Sequence, residues 1–96
     1  MKAIPIQRLK RAHAGGVVEI NIWRVPEPVP PTDHGFKYRL VYLVAGRRVI
    51  GFDNERGKGD HRHDQEAETA YQFINVTTLL SDFWQAVEDL GGDDEA

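Results

Sequence analysis

The stretch "FKYRLVYLV" at residues 36–44, with "AGRR" at 45–48 and "RVIGFDN" at 48–54, decides the fold. Phe36, Tyr38, Leu40 and Tyr42 fall on one face of an extended segment. Lys37, Arg39, Val41 and Leu43 fall on the other. That two-residue period, rich in aromatic and β-branched side chains, predicts a strand. Gly46 can take the positive φ that a tight turn needs, so the chain should double back at 45–48 and return as an antiparallel partner.

Working outward, "VVEINIWRV" at 17–25 alternates as cleanly. Val18, Ile20 and Ile22 share one face, and Glu19, Asn21 and Trp23 share the other, which predicts a strand buried on one side. Trp23 is expected to pack under a helix. "HAGG" at 13–16 reads as a turn, with His13 exposed, and Ala3–Arg11 as an edge strand at best because Pro5 cannot donate a ladder hydrogen bond. "PEPVPPTDHG" at 26–35 is a stiff connection. "HDQEAETAY" at 63–71 reads as loop or a short helical turn, and "YQFIN" at 71–75 as a short strand.

From there a helix is predicted. Leu79, Leu80, Phe83, Trp84, Val87 and Leu90 recur at the spacing of one helical face, with Thr77 as its N-cap and Gly91 as its stop. The expected fold is therefore α+β: a mostly antiparallel sheet of four to five strands with a C-terminal amphipathic helix on one face. Residues 1–90 form one domain and 91–96 a flexible acidic tail.

Ninety-six residues leave little room for a cofactor domain, and none is expected. No cysteine is present, which excludes disulfides and thiolate metal sites and suits a cytoplasmic location. No apolar run is long enough to span a bilayer, and no signal peptide opens the chain. All 12 Lys and Arg lie in residues 1–63, whereas residues 64–96 are acidic. Such a split fits a surface facing nucleic acid beside a shielding helix, or a solvated acidic helix face.

The chemistry concentrates in "DNERGKGDHRH" at 53–63, which begins at a strand end and reads as a charged loop. Its glycine and lysine spacing fits neither a dinucleotide nor a Walker loop. His61 and His63 lie two apart and point to one side of an extended segment, with Asp60 and Asp64 flanking them. His34 could join them only through the fold. That set could hold a divalent ion, but Arg56, Lys58 and Arg62 crowd it with positive charge, so no metal is expected. Metal-free cleavage of RNA fits better. Histidines can act as acid and base, and cations stabilise the phosphorane. On this reading His61 and His63 are the acid–base pair, Asp60 orients one imidazole, and Arg56, Lys58 and Arg62 grip phosphate. A salt-bridged surface loop is the competing reading.

"WRVPEPV" at 23–29, "KYRLVY" at 37–42, "ERGKGDHRH" at 55–63 and "LLSDFW" at 79–84 together resemble the TumE family of small bacterial and archaeal toxins. The resemblance runs from about residue 17 to 90. It implies the toxin of a type II toxin–antitoxin pair, neutralised by a helix-turn-helix antitoxin that also represses the operon. It carries no residue roles. The expected function is a toxin that acts on RNA as a metal-independent endoribonuclease. The alternative is a non-catalytic protein-binding module whose charged loop docks a partner, and a homodimer stays open.

Overall fold

The computed structural model describes residues 2–95, with side chains through Leu90. Six strands follow one another: β1 (Ile4–His13), β2 (Gly16–Arg24), β3 (Phe36–Val44), β4 (Arg47–Glu55), β5 (Gly59–Asp64) and β6 (Ala67–Ala70). One helix, α1 (Val76–Glu95), closes the order. The strands form one sheet in the order β1-β2-β3-β4-β5-β6, every neighbouring pair antiparallel. The α+β architecture is as expected, with six strands instead of four to five.

Alternation on β2, β3 and β4 builds the core. Val18, Ile20, Ile22, Tyr38, Leu40, Tyr42, Ile50 and Phe52 point to one side of the sheet and are buried. Leu79, Phe83, Ala86 and Val87 of α1 complete that layer. Phe83 sits edge-on to Phe52, with ring centroids 6.2 Å apart. Truncating such a buried aromatic costs about 3–5 kcal/mol.

Several local expectations are corrected. The N-cap is Asn75, not Thr77: its Oδ1 accepts from Thr78 N at 2.7 Å, and the helix starts at Val76. Gly91 does not stop the helix, which runs to Glu95. The expected mobile tail over 91–96 lies outside the described side chains. Residues 63–71 contain no helical turn; the end of β5, a turn and β6 occupy them. Residues 71–75 are not a strand but a crossing segment, tied to the helix by Tyr71 Oη donating to Asp82 Oδ2 at 2.6 Å. Pro5 lies within β1, where the pairing with β2 shifts between Pro5 and Gln7. His13 is half-buried, edge-on to Trp84 at 5.2 Å. Trp23 does not pack under the helix. It lies on the opposite face of the sheet, where the Arg8 guanidinium sits 5.4 Å above its ring.

β3 and β4 are stitched by a device that the alternation does not reveal. Their ladder ends at Arg39 opposite Asp53. Beyond it the side chain of Asn54, fully buried, takes over. Its Oδ1 accepts from Tyr38 N at 2.9 Å and its Nδ2 donates to Phe36 O at 2.8 Å. One amide thus extends the ladder by two hydrogen bonds.

Among the described residues, no helix is long and apolar enough to cross a membrane.

Candidate functional site

The charged stretch is for the most part a hairpin, not a loop. Asp53, Asn54 and Glu55 end β4. Arg56, Gly57 and Lys58 turn the chain, and Gly59–Asp64 return as β5. Gly57 and Gly59 have φ of 88° and 80°, the left-handed region where glycine is at ease. The turn is anchored by Lys58 N donating to Glu55 O and by Gly57 N donating to Pro30 O. The proline-rich connection thus braces it from outside. The resulting register sets Asp53 opposite His61 and Gly51 opposite His63.

β5 then sorts its residues by parity. Asp60 and Arg62 face the helix side. The Arg62 guanidinium lies 4.9 Å over the Phe52 ring. Asp60 accepts from Thr32 Oγ1 at 2.7 Å and from His34 Nε2 at 2.9 Å, while Phe36 N donates to His34 Nδ1 at 3.2 Å. Both nitrogens of His34 are therefore committed. Its ring stacks on Phe73 with centroids 3.9 Å apart. Asp60 is expected to orient His61 or His63; its carboxylate instead accepts from the His34 imidazole. Close by, the Tyr38 phenol is held above its usual range by burial and by the Asp60 charge.

His61 and His63 face the other side of the sheet. They are 5% and 8% exposed, so neither is a loop side chain. Their rings meet edge to face with centroids 4.8 Å apart. His61 Nδ1 faces Gly59 O at 3.0 Å, which assigns its proton to Nδ1. His61 Nε2 lies 2.6 Å from Asp53 Oδ1 and 3.2 Å from Glu68 Oε2. His63 Nε2 lies 3.9 Å and 3.8 Å from the same two oxygens. Asp53 Oδ1 is buried and has no hydrogen-bond partner. It approaches Nε2 of His61 as a neighbour, not along a donor's axis.

Arg48 Nη2 donates to His63 Nδ1 at 3.1 Å. Burial, and then the Arg48 guanidinium, hold the His63 pKa below the usual histidine value. Arg48 reaches the ring by lying across Gly51: a Cβ there would meet Arg48 Cδ at 2.9 Å and His63 Cδ2 at 3.5 Å.

Asp53 also borders a groove of about 370 Å³ on the same face, lined by Trp23, Lys37, Arg39, Arg48 and Glu55. On the far side, a hollow of similar size brings Lys58 beside His61 and Glu68. Of the six residues singled out from sequence, the structure thus unites His61 and His63, with Lys58 at their margin. It leaves Arg56 in the exposed turn and sets Asp60 and Arg62 on the opposite face. The carboxylates that do converge, Asp53 and Glu68, were missed, as were the groove cations Lys37, Arg39 and Arg48. A hairpin centred on Gly57 pairs 53 with 61, so the glycine pair was the signal for Asp53.

A family model described as Toxin TumE matches residues 5–90, nearly the whole chain. The chain belongs to the TumE toxin family. A toxin of this kind implies an antitoxin partner. Comparison with curated proteins and with solved structures gives no match.

Proposed function

We propose that this TumE-family chain acts on RNA as a metal-independent endoribonuclease, at the sheet face opposite the helix, under the control of a helix-turn-helix antitoxin. The observation that carries the reading is one buried carboxylate, Asp53, that faces two buried histidines and itself borders a cation-lined groove. Cleavage by the neighbouring 2′-hydroxyl needs a base, an acid and a stabilised phosphorane. His61 and His63 serve as the acid–base pair. The Asp53 carboxylate, 2.6 Å from His61 Nε2, places negative charge beside that ring, a carboxylate part expected of Asp60. Lys37, Arg39 and Arg48 hold the phosphate beside Asp53, a part expected of Arg56, Lys58 and Arg62, of which only Lys58 borders the histidines. Trp23 offers a flat face for a base.

The rival reading, a charged loop that docks a partner, loses most of its surface. Only Glu55, Arg56, Gly57 and Lys58 of the stretch form an exposed turn, and the residues that follow are strand.

The test is cleavage of a labelled single-stranded RNA by the full chain, with and without a chelator. Equal cleavage in both supports the proposal, provided that Asp53→Asn abolishes it in a folded protein. No cleavage by the wild-type chain refutes it.

A further inference from the structure

From the same four side chains we infer a second property: Asp53, His61, His63 and Glu68 form a site for one divalent transition-metal cation of the zinc type, and filling it silences the toxin. The inhibitory half rests on the proposed acid–base chemistry, whereas the binding half does not.

The argument starts from distances. Four donor atoms, His61 Nε2, His63 Nε2, Asp53 Oδ1 and Glu68 Oε2, are separated by 2.6, 3.2, 3.9 and 3.8 Å across the histidine–carboxylate pairs. Nitrogen and oxygen ligands about 2.0–2.1 Å from a tetrahedral ion stand about 3.4 Å apart. These four separations straddle that value, and the donors of Asp53, His61 and His63 lie within 4.8 Å of one another, with Glu68 reaching them from the edge strand. A second observation points the same way. Asp53 is 8% exposed, and its Oδ1 faces the cluster with no hydrogen-bond partner. A buried carboxylate oxygen left so is costly, and a cation between it and the imidazoles would remove that cost.

The donor types select the ion. Two imidazoles with two carboxylates suit zinc and its neighbours, whereas magnesium and calcium favour all-oxygen shells. His61 also carries the support that metal-bound histidines usually have, an Nδ1–H given to a backbone carbonyl, here Gly59 O. Four protein ligands leave no open position, so the bound ion would have no vacancy for substrate or water. It would instead occupy both Nε2 atoms that the cleavage reaction uses.

One neighbour opposes the ion. Arg48 donates to His63 Nδ1, which keeps the proton of a neutral ring on Nε2, the atom a metal needs bare. Binding therefore requires Arg48 to leave the ring. Arg48→Gln, whose side-chain oxygen can accept from Nδ1–H, should bind the cation more tightly than the wild type.

The experiment equilibrates the full-length chain, made in a cell-free system, with zinc, then measures bound metal by elemental analysis and affinity by competition with a chromophoric chelator. One zinc per chain is expected. Asp53→Asn and Glu68→Gln should each weaken binding at least tenfold, and Arg48→Gln should strengthen it. Glu68 is exposed on the edge strand, so its variant keeps the fold even where a core change does not. RNA cleavage should fall at least tenfold when the site is filled and return on chelation. Absence of stoichiometric zinc, affinity indifferent to Asp53 and Glu68, or cleavage that rises with zinc overturns the inference. Stoichiometric binding by a chain that cleaves no RNA supports the metal site and refutes the ribonuclease reading instead.

Discussion

Strand β5 contributes one member of a histidine–aspartate pair to each face of the sheet, Asp60 on one and His61 on the other, and the two pairs have opposite characters. On the helix side, His34 is closed. One nitrogen takes the Phe36 amide, the other gives its proton to Asp60, and Thr32 fills the same carboxylate. Every hydrogen-bonding atom is spent, so the pair fastens the proline-rich connection to β5. On the other side His61 meets Asp53 at 2.6 Å, yet the Asp53 oxygen remains without a hydrogen bond. The same two residue types are a fastener in one place and, on the proposed reading, a reactive pair in the other. What separates them is whether the backbone and a third side chain complete the set.

The sharpest way to break that comparison is to neutralise each aspartate in turn. Asp53→Asn should lower RNA cleavage by about 10²–10⁴-fold, the usual contribution of a positioned acid–base group, while the melting temperature changes little. Cleavage rates paired with calorimetry read both. Asp60→Ala should do the reverse. It strands Thr32 and His34, costs about 2–3 kcal/mol in denaturant unfolding, and leaves the cleavage rate per folded molecule unchanged. If Asp60→Ala abolished cleavage in a stable protein, the two faces would not be distinct. Asn54→Ala should cost about 2 kcal/mol by the same unfolding measurement, because Tyr38 N and Phe36 O lose their partner at the end of the β3–β4 ladder. The smallest effect on stability is expected from Gly51→Ala, within about 1 kcal/mol, since the added Cβ would meet only the flexible Arg48 side chain closely, at 2.9 Å. It should still weaken RNA binding, measured by a filter or anisotropy titration, by moving Arg48 off the groove wall.

Much of this frame is legible in the sequence, and the reason lies in which strands are wet on one side only. Val18–Ile22 and Tyr38–Tyr42 alternate because one face meets α1 and the other does not. The helix shows itself for the same reason. β5 does not, because its inward residues on the groove side are His61 and His63 and those on the helix side are Asp60 and Arg62. Polar residues buried on both faces mimic a loop. β6, "AETA", is exposed along its whole length and carries no pattern to read. The histidine pair was visible as a spacing, but the carboxylates that complete it depend on register. Glu68 joins through the β5–β6 pairing, opposite His63, which no local motif announces.

The unbroken meander has a consequence for how the toxin comes into being. Asp53, His61, His63 and Glu68 come from three successive strands late in the sheet, and the helix that seals their strands follows them. A ribosome delivers residues in that order. Until Glu68 has been added the growing chain lacks the complete set of groups, and the apolar face behind β4 stays wet until α1 emerges. On the proposed reading, the reacting groups are complete only once β6 has followed β4 and β5, and a waiting antitoxin can meet the chain from that point on.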